Sequence, residues 1–284
     1  MSKNLYTLIT GASEGFGRAL AIECASREMN LILVALPDSK LHFLAETLIQ
    51  KYAIDVIAIE KDLSIEENCE MLYKQVEKLK LTVNMLINNV GISSTMFFSE
   101  GSIDFYHKQV KLNVVTTTLL TSLFLDMLKT NKPSHILNVG SLSCFFYLAK
   151  KQVYGATKSY IYSFSKSLRG ELSTEGVNVS VICPGGMNTN ATIIKTNEAN
   201  NWLARQSIMN PEEVAPIAIK GLLNRKEIII PGRMNKLFLL IDKLLPSFLI
   251  KMIANNHINK FKSYNIGNKA IKETVFNGLL ETSN

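Results

Sequence analysis

Short apolar runs alternate with longer helical stretches along most of this chain, and that alternation limits the possible folds more than any other feature. Leu5–Thr10, Leu31–Ala35, Ile54–Ile59, Met85–Asn88, Ile136–Gly140 and Val177–Cys183 are near-continuous apolar segments. A strand with one wet face alternates apolar and polar residues, whereas a parallel strand covered on both faces does not. Glu227–Pro231 reads as a last strand. Helical patterns fill the gaps at Gly15–Glu28, Ser39–Tyr52, Ser64–Leu79, Ser102–Lys129, Gln152–Glu175 and Pro211–Asn224. Strand and helix in this order imply right-handed crossovers. The expected fold is α/β, a doubly wound parallel sheet of about seven strands with helices on both faces. Such sheets bind ligands at the carboxyl ends of their strands.

The chain has 284 residues, 47% of them hydrophobic. That is enough for a large core and too apolar for a disordered chain. Residues 1–232 read as the sheet domain and 233–284 as a basic amphipathic helical extension. The extension holds eight basic and three acidic residues and so accounts for most of the net charge of +7. The body is nearly neutral, which argues against nucleic-acid binding. The extension carries Leu237, Leu240, Ile241, Leu244, Phe248 and Ile253, interrupted by Lys236, Lys243 and Lys251, and Pro246 is expected to divide it. A basic amphipathic helix can lie on a membrane surface, and it can equally cover a substrate cleft or a neighbouring subunit.

Cys24, Cys69, Cys144 and Cys183 form no C-x-x-C pair, and His42, His107, His135 and His257 lack ligand spacing. No metal site and no disulfide framework are expected, and reduced thiols fit a cytoplasmic protein. No uncharged apolar run of about 18 residues suggests a spanning helix. A strand that begins at Leu5 leaves no room for a signal peptide.

The first strand runs into Thr10-Gly11-Ala12-Ser13-Glu14-Gly15-Phe16-Gly17, and a helix follows. Glycines let the backbone turn tightly and approach a pyrophosphate. The helix N-terminus offers N–H groups and the positive end of its dipole. The same turn could serve only close helix packing.

Tyr154 and Lys158 are four residues apart on an expected helix, hence on one face. A fixed ammonium beside a phenol favours the phenolate, and such a pair could move a proton at a carbonyl or carbinol oxygen. Ser141 follows the strand Ile136–Gly140 and so stands at the ligand edge. Asn88-Asn89-Val90-Gly91 ends another strand at the same edge, and Asn113 lies in the helix after it.

With these residues the chain resembles the short-chain dehydrogenase/reductase family, over roughly residues 4–232. The T-G-x-x-x-G-x-G motif matches Thr10–Gly17, and N-N-A-G matches Asn88–Gly91 with Val90 in place of Ala. The catalytic Asn, Ser, Tyr and Lys match Asn113, Ser141, Tyr154 and Lys158. The motif after the sixth strand matches Pro184-Gly185, with Thr189 beyond it. The resemblance implies a Rossmann fold and an NAD(P)(H)-dependent oxidoreductase, commonly a homodimer or homotetramer. It implies that Tyr154 is the general acid in reduction. Lys158 would hold the nicotinamide ribose and lower the Tyr154 pKa. Ser141 would orient the substrate oxygen, and Asn113 would hold a water linking Lys158 to solvent. The cofactor contacts it implies are Gly11, Ser13, Glu14, Gly15, Phe16, Gly17, Ala35, Asp62, Leu63, Asn89, Gly91, Tyr154, Lys158, Pro184, Gly185 and Thr189.

An acidic residue at the end of the second strand would bind ribose hydroxyls and repel a 2′-phosphate. Ala35 stands there, which favours NADP(H) over NAD(H). Neither Leu36 nor Glu14 completes an NADP signature, and Asp38 and Lys40 are close by. The segment Met187–Asn210, with Ile193, Ile194, Trp202, Leu203, Ile208 and Met209, is expected to cover the nicotinamide. Phe145, Phe146, Tyr147 and Leu148 follow the catalytic Ser. These residues suit an apolar, acyl- or steroid-like substrate, and the same residues would also serve ordinary packing. Two functions follow: a reductase or dehydrogenase acting on a small carbonyl or alcohol, or a nucleotide-sensing protein that kept the fold and lost turnover. The intact set of four favours the enzyme.

Overall fold

The computed structural model describes residues 5–37, 39–146, 148–198 and 205–244. Asp38, Tyr147, Trp202, Leu203 and the extension beyond Leu244, named above, lie outside the described residues. The strands are β1 Leu5–Thr10, β2 Asn30–Ala35, β3 Val56–Glu60, β4 Thr82–Asn88, β5 Ser134–Val139, β6 Val177–Ile182 and β7 Ile228–Ile229. They form one parallel sheet in the order β3-β2-β1-β4-β5-β6-β7. The chain switches direction across the sheet between β1 and β4, so the crevice lies at their carboxyl ends.

Both faces of the sheet are covered, which explains the unbroken apolar strands. Ile9, Leu31 and Leu33 point to one face. There they meet Phe16 and Leu20 of α1 (Gly15–Ala25), Leu44 and Leu48 of α2 (Leu41–Tyr52), and Val214 and Ile219 of α8 (Pro211–Leu223). Leu8, Ile32 and Val34 point to the other. There they meet Leu72 and Val76 of α3 (Glu66–Lys78), Leu120 and Phe124 of α5 (Thr116–Thr130), and Leu168 and Leu172 of α6 (Gln152–Leu172). Phe124 is wholly buried. Removing such a ring costs about 3–5 kcal/mol.

Several boundaries differ from the sequence expectation for local reasons. Ser64 does not open α3, because its N–H and hydroxyl donate to the Asp62 carboxylate at 2.9 and 2.7 Å. That turn competes with the helix, which begins at Glu66. Lys40 is left-handed, with φ 57°, so α2 starts at Leu41. The helix expected over Ser102–Lys129 has three parts. α4 (Ile103–Val110) leads through a π-helical turn at Lys111–Val115 into α5. The stretch Ile103–Thr130 is long and apolar enough to cross a bilayer by length and composition. Its Leu120, Phe124 and Leu128 are instead packed in the core.

α7 (Ala191–Glu198) follows β6, and α9 (Arg233–Leu244) opens the basic extension. α9 docks through Leu239 and through Asn235, whose amide donates to the main-chain oxygens of Pro231 and Ser207 at 2.8 and 3.3 Å. Its Leu237, Leu240 and Ile241 are exposed.

Candidate active site

The turn after β1 needs glycine at three places. Gly11 and Gly15 have φ of 65° and 53°, the left-handed region that favours glycine. A β-carbon on Gly17 would lie 1.9 Å from the Gly11 oxygen. One on Gly15 would lie 3.1 Å from Thr189, so the segment after β6 closes onto the glycine turn. The N-cap of α1, Glu14, makes no side-chain cap and is exposed. The open N-terminus and the close backbone approach fit a pyrophosphate. Ser13 is half-buried there, and Phe16 is buried beneath the turn.

Asn89 ties this turn to β4. Its amide donates to the oxygens of Thr10 and Gly11 at 2.9 and 3.1 Å, while the Thr10 hydroxyl accepts from the N–H groups of Asn89 and Val90. Its side-chain nitrogen is thus engaged in building the cradle. Ala35 ends β2 beside exposed Leu36. Burial works to raise the Asp62 pKa, yet the Ser64 hydrogen bonds and the Lys108 charge outweigh it and hold the carboxyl below its usual value. Leu63 is buried, and its oxygen accepts from the Thr116 hydroxyl at 2.7 Å.

The four expected catalytic residues meet at the carboxyl edge of β4 and β5. Ser141 follows β5, and its hydroxyl accepts from the Ser143 N–H at 3.2 Å. Tyr154 and Lys158 lie one turn apart on α6, with the Lys158 ammonium 5.8 Å from the Tyr154 ring centre. That ammonium donates to the Val139 main-chain oxygen at 2.7 Å and is buried. Asn113 sits in the π-helical turn, a distortion frequent at functional sites. Its side chain accepts from the Ile92 N–H at 2.9 Å and donates to the Ile92 oxygen and the Thr157 hydroxyl, both at 3.0 Å. A β-carbon on Gly91 would lie 2.7 Å from the Asn113 side-chain oxygen, so glycine is required there too. Gly185 is equally constrained, 2.5 Å from the Ser207 oxygen by the same measure. Pro184 accepts from the Leu142 N–H at 2.8 Å, which joins the β6 exit to the Ser141 loop.

The Tyr154 pKa is raised in this structure, where the resemblance implied a lowering by Lys158. Burial pushes the phenol up, opposed by its hydrogen bond with Ser141, and the nearby thiols of Cys144 and Cys183 add to the rise. Burial brings Lys158 itself down to about 8. The ammonium is drawn to Val139 rather than to the phenol. Phe145 packs edge-on against Tyr162, ring centres 4.9 Å apart, in a cluster with Ile161 and Val181. Packing is one of the two roles left open for these residues, and Phe145 has it; Leu148 is exposed, and Ile193, Ile208 and Met209 are half-buried.

Other features of the site were not read from the sequence. The Cys144 and Cys183 sulfurs are 3.8 Å apart, and the Cys144 thiol donates to the Ser141 oxygen. Thr157 links Asn113 to the Tyr154 main chain. Lys151 stands over the Tyr154 ring at 5.0 Å. Neither Lys151 nor the cysteine pair had a signal in the sequence: Lys151 precedes the helix that carries Tyr154, and the two cysteines are far apart along the chain.

A parallel sheet with a glycine turn and a Ser, Tyr, Lys cluster at its carboxyl edge defines a nucleotide-dependent oxidoreductase site. The sequence model of the short chain dehydrogenase family matches residues 6–200, and the chain belongs to that family. It is 27% identical over 217 residues to the 3-oxoacyl-(acyl-carrier-protein) reductase of Aquifex aeolicus, covering 75% of this chain and 88% of that one. It is 33% identical over 190 residues to a very-long-chain 3-oxoacyl-CoA reductase of Vanderwaltozyma polyspora, covering 62% and 54%. A short-chain dehydrogenase from Sphingobium yanoikuyae in complex with NADPH superposes with a TM-score of 0.71 at 24% identity, covering 90% and 95%.

Proposed function

We propose that this oxidoreductase reduces the carbonyl of an apolar, acyl- or steroid-like substrate, or oxidises the matching alcohol, and prefers NADP(H). The observation that carries the reading is the convergence of Ser141, Tyr154 and Lys158 at the end of β5, beside the glycine turn. The nicotinamide supplies the hydride, and the protein supplies position and a proton.

The proposed division of labour follows the geometry. Tyr154 gives its proton to the substrate oxygen, and its raised pKa keeps it protonated for that step. The Ser141 hydroxyl donates to the same oxygen as negative charge grows on it. Asn113 holds the Ile92 main chain and, through Thr157, the start of α6. The turn Gly11–Gly17 would hold the pyrophosphate, Asp62 and Leu63 the adenine, Asn89 and Gly91 the middle of the cofactor, Lys158 the ribose, and Pro184, Gly185 and Thr189 the nicotinamide end. Names of relatives support both substrate classes: two curated relatives are 3-oxoacyl reductases, and another is a putative steroid dehydrogenase of Caenorhabditis elegans. Exposed Ile103, Val110 and Tyr160 on the long helices support self-association.

The NADP(H) preference rests on Ala35, which puts no carboxylate where a 2′-phosphate would lie. Fluorescence titration tests it. The wild-type protein should bind NADPH more tightly than NADH, and Ala35→Asp should reverse the order by about one to two orders of magnitude, since facing like charges cost several kcal/mol. Tighter NADH binding by the wild type would overturn the preference.

A further inference from the structure

Lys151 is the N-cap residue of α6, with φ −129° and ψ 28° outside the helical region, and Tyr154 and Lys158 lie one turn apart in the helix that follows. Lys158 is buried and Lys151 is half-buried. The Lys151 ammonium lies 5.0 Å from the Tyr154 ring centre. It donates to the Ser93 hydroxyl and the Ser94 main-chain oxygen, each at 3.3 Å. These serines belong to the loop that leaves β4 beside the catalytic edge.

This ammonium is half-buried and has no carboxylate partner among the described residues. Burial pulls its pKa below the ordinary value, and no neighbouring charge offsets that. Two long hydrogen bonds to neutral oxygens compensate a half-buried charge poorly. Holding the loop does not require it. Met96 donates to the Lys150 oxygen at 3.1 Å. Gln109 donates to the Ile92 oxygen and the Ser94 hydroxyl, and Asn113 holds Ile92 on both sides. A charged group kept partly dry beside a proton donor, with a donor position to spare, is suited to a ligand oxygen.

We propose that Lys151 is a specificity residue whose ammonium donates to a second oxygen of the substrate, a carbonyl or carboxylate set beside the reacting carbonyl. This rests on the reading of Tyr154 as the proton donor. It also chooses within the substrate classes named above. A 3-oxoacyl thioester or ester carries its second carbonyl on the next carbon but one from the first. A simple steroid ketone or dialkyl ketone has no oxygen there. Lys151 therefore selects 3-oxoacyl compounds. It does so by binding ground state and transition state alike, so its effect falls on KM.

The test uses methyl 3-oxooctanoate and decan-5-one, which match in length and differ in the second carbonyl. NADPH consumption is followed with the wild type, Lys151→Met, Lys151→Gln and Lys151→Arg. The wild type should favour the keto ester. In Lys151→Met the keto ester KM should rise about 10- to 100-fold, as expected for a lost hydrogen bond to a charged group, and the ester-to-ketone ratio of kcat/KM should collapse. Lys151→Gln should lose part of the ratio, which keeps the comparison readable if the Met variant misfolds. Lys151→Arg should restore most of it. An unchanged ratio in Lys151→Met and Lys151→Gln would overturn the proposal while leaving the reductase reading in place. So would a wild type that reduces the ketone and rejects the ester. A wild type that reduces neither compound, yet binds NADPH, would overturn the apolar-carbonyl reading and this proposal with it.

Discussion

The Lys158 ammonium donates to the main-chain oxygen of Val139, the last residue of β5, at 2.7 Å. One hydrogen bond thus fixes the catalytic helix to the strand that presents Ser141, in the dry interior of the sheet edge. The contact has a thermodynamic signature. Burial brings Lys158 to about 8, below the ~10.4 of an unperturbed lysine. Between those values the unfolded chain binds more protons than the folded one, so this group's contribution to stability rises with pH. The destabilisation by the buried charge is complete below about pH 8 and gone above about pH 10.4. Urea unfolding of the wild type and Lys158→Met should show the wild-type stability, relative to the variant, climbing across that window. A difference that stays flat or falls would contradict the burial of a charged Lys158.

Glycines provide a paired prediction, because two of them differ sharply in surroundings. At Gly17 a β-carbon would meet the Gly11 oxygen at 1.9 Å, whereas at Gly170, inside α6, nothing lies within 4 Å. Gly17→Ala should therefore overpack the nucleotide turn, at about 1–3 kcal/mol of stability, and weaken NADPH binding at least tenfold (~1.4 kcal/mol). Gly170→Ala should stabilise by about 0.4–1 kcal/mol through the lower entropy of the unfolded chain. Thermal melts and cofactor titration read both, and a Gly17→Ala variant with native affinity would refute the cradle.

The cysteines should react in a set order. The Cys183 hydrogen bond holds the Cys144 thiol below its usual pKa, helped by the Lys158 charge and against the effect of burial. Burial pushes Cys24 to about 12 and Cys69 to about 11, and Cys183 lies well above its ordinary value through its bond to Cys144. Thiolate is the reactive form. Limiting iodoacetamide followed by peptide mapping should find Cys144 modified first and activity lost in step, since Cys144 adjoins the Ser141 loop. Earlier labelling of Cys24 or Cys69 would contradict this order.

The architecture was readable in the sequence because burial on both faces of a parallel sheet leaves a plain trace. Leu31 to Val34 are all wholly buried, two on each face, and no polar residue interrupts them. The positions of Ser141, Tyr154 and Lys158 were readable because a strand end and a helix face fix where they must stand. Other features leave no such trace. The π-helical turn at Lys111–Val115 keeps the apolar spacing of its flanks, so one helix was expected. The turn at Asp62 and Ser64 depends on a side-chain bond that competes with an ordinary helix start. The Tyr154 pKa depends on its burial and on the thiols of Cys144 and Cys183 beside it, and spacing along a helix specifies neither. Lys151 resembled the many lysines that sit on wet surfaces. Only its position over the Tyr154 ring sets it apart.

The central claim is that Tyr154 delivers the proton at a site assembled for hydride transfer. Kinetics and NADPH titration of Tyr154→Phe test it most directly, because the substitution removes one hydroxyl and keeps the ring. The account predicts a kcat about 10²- to 10⁴-fold lower, the usual worth of a positioned acid, with the NADPH Kd changed by less than about threefold. A variant that turns over near the wild-type rate would contradict the account, whatever its affinity for the cofactor.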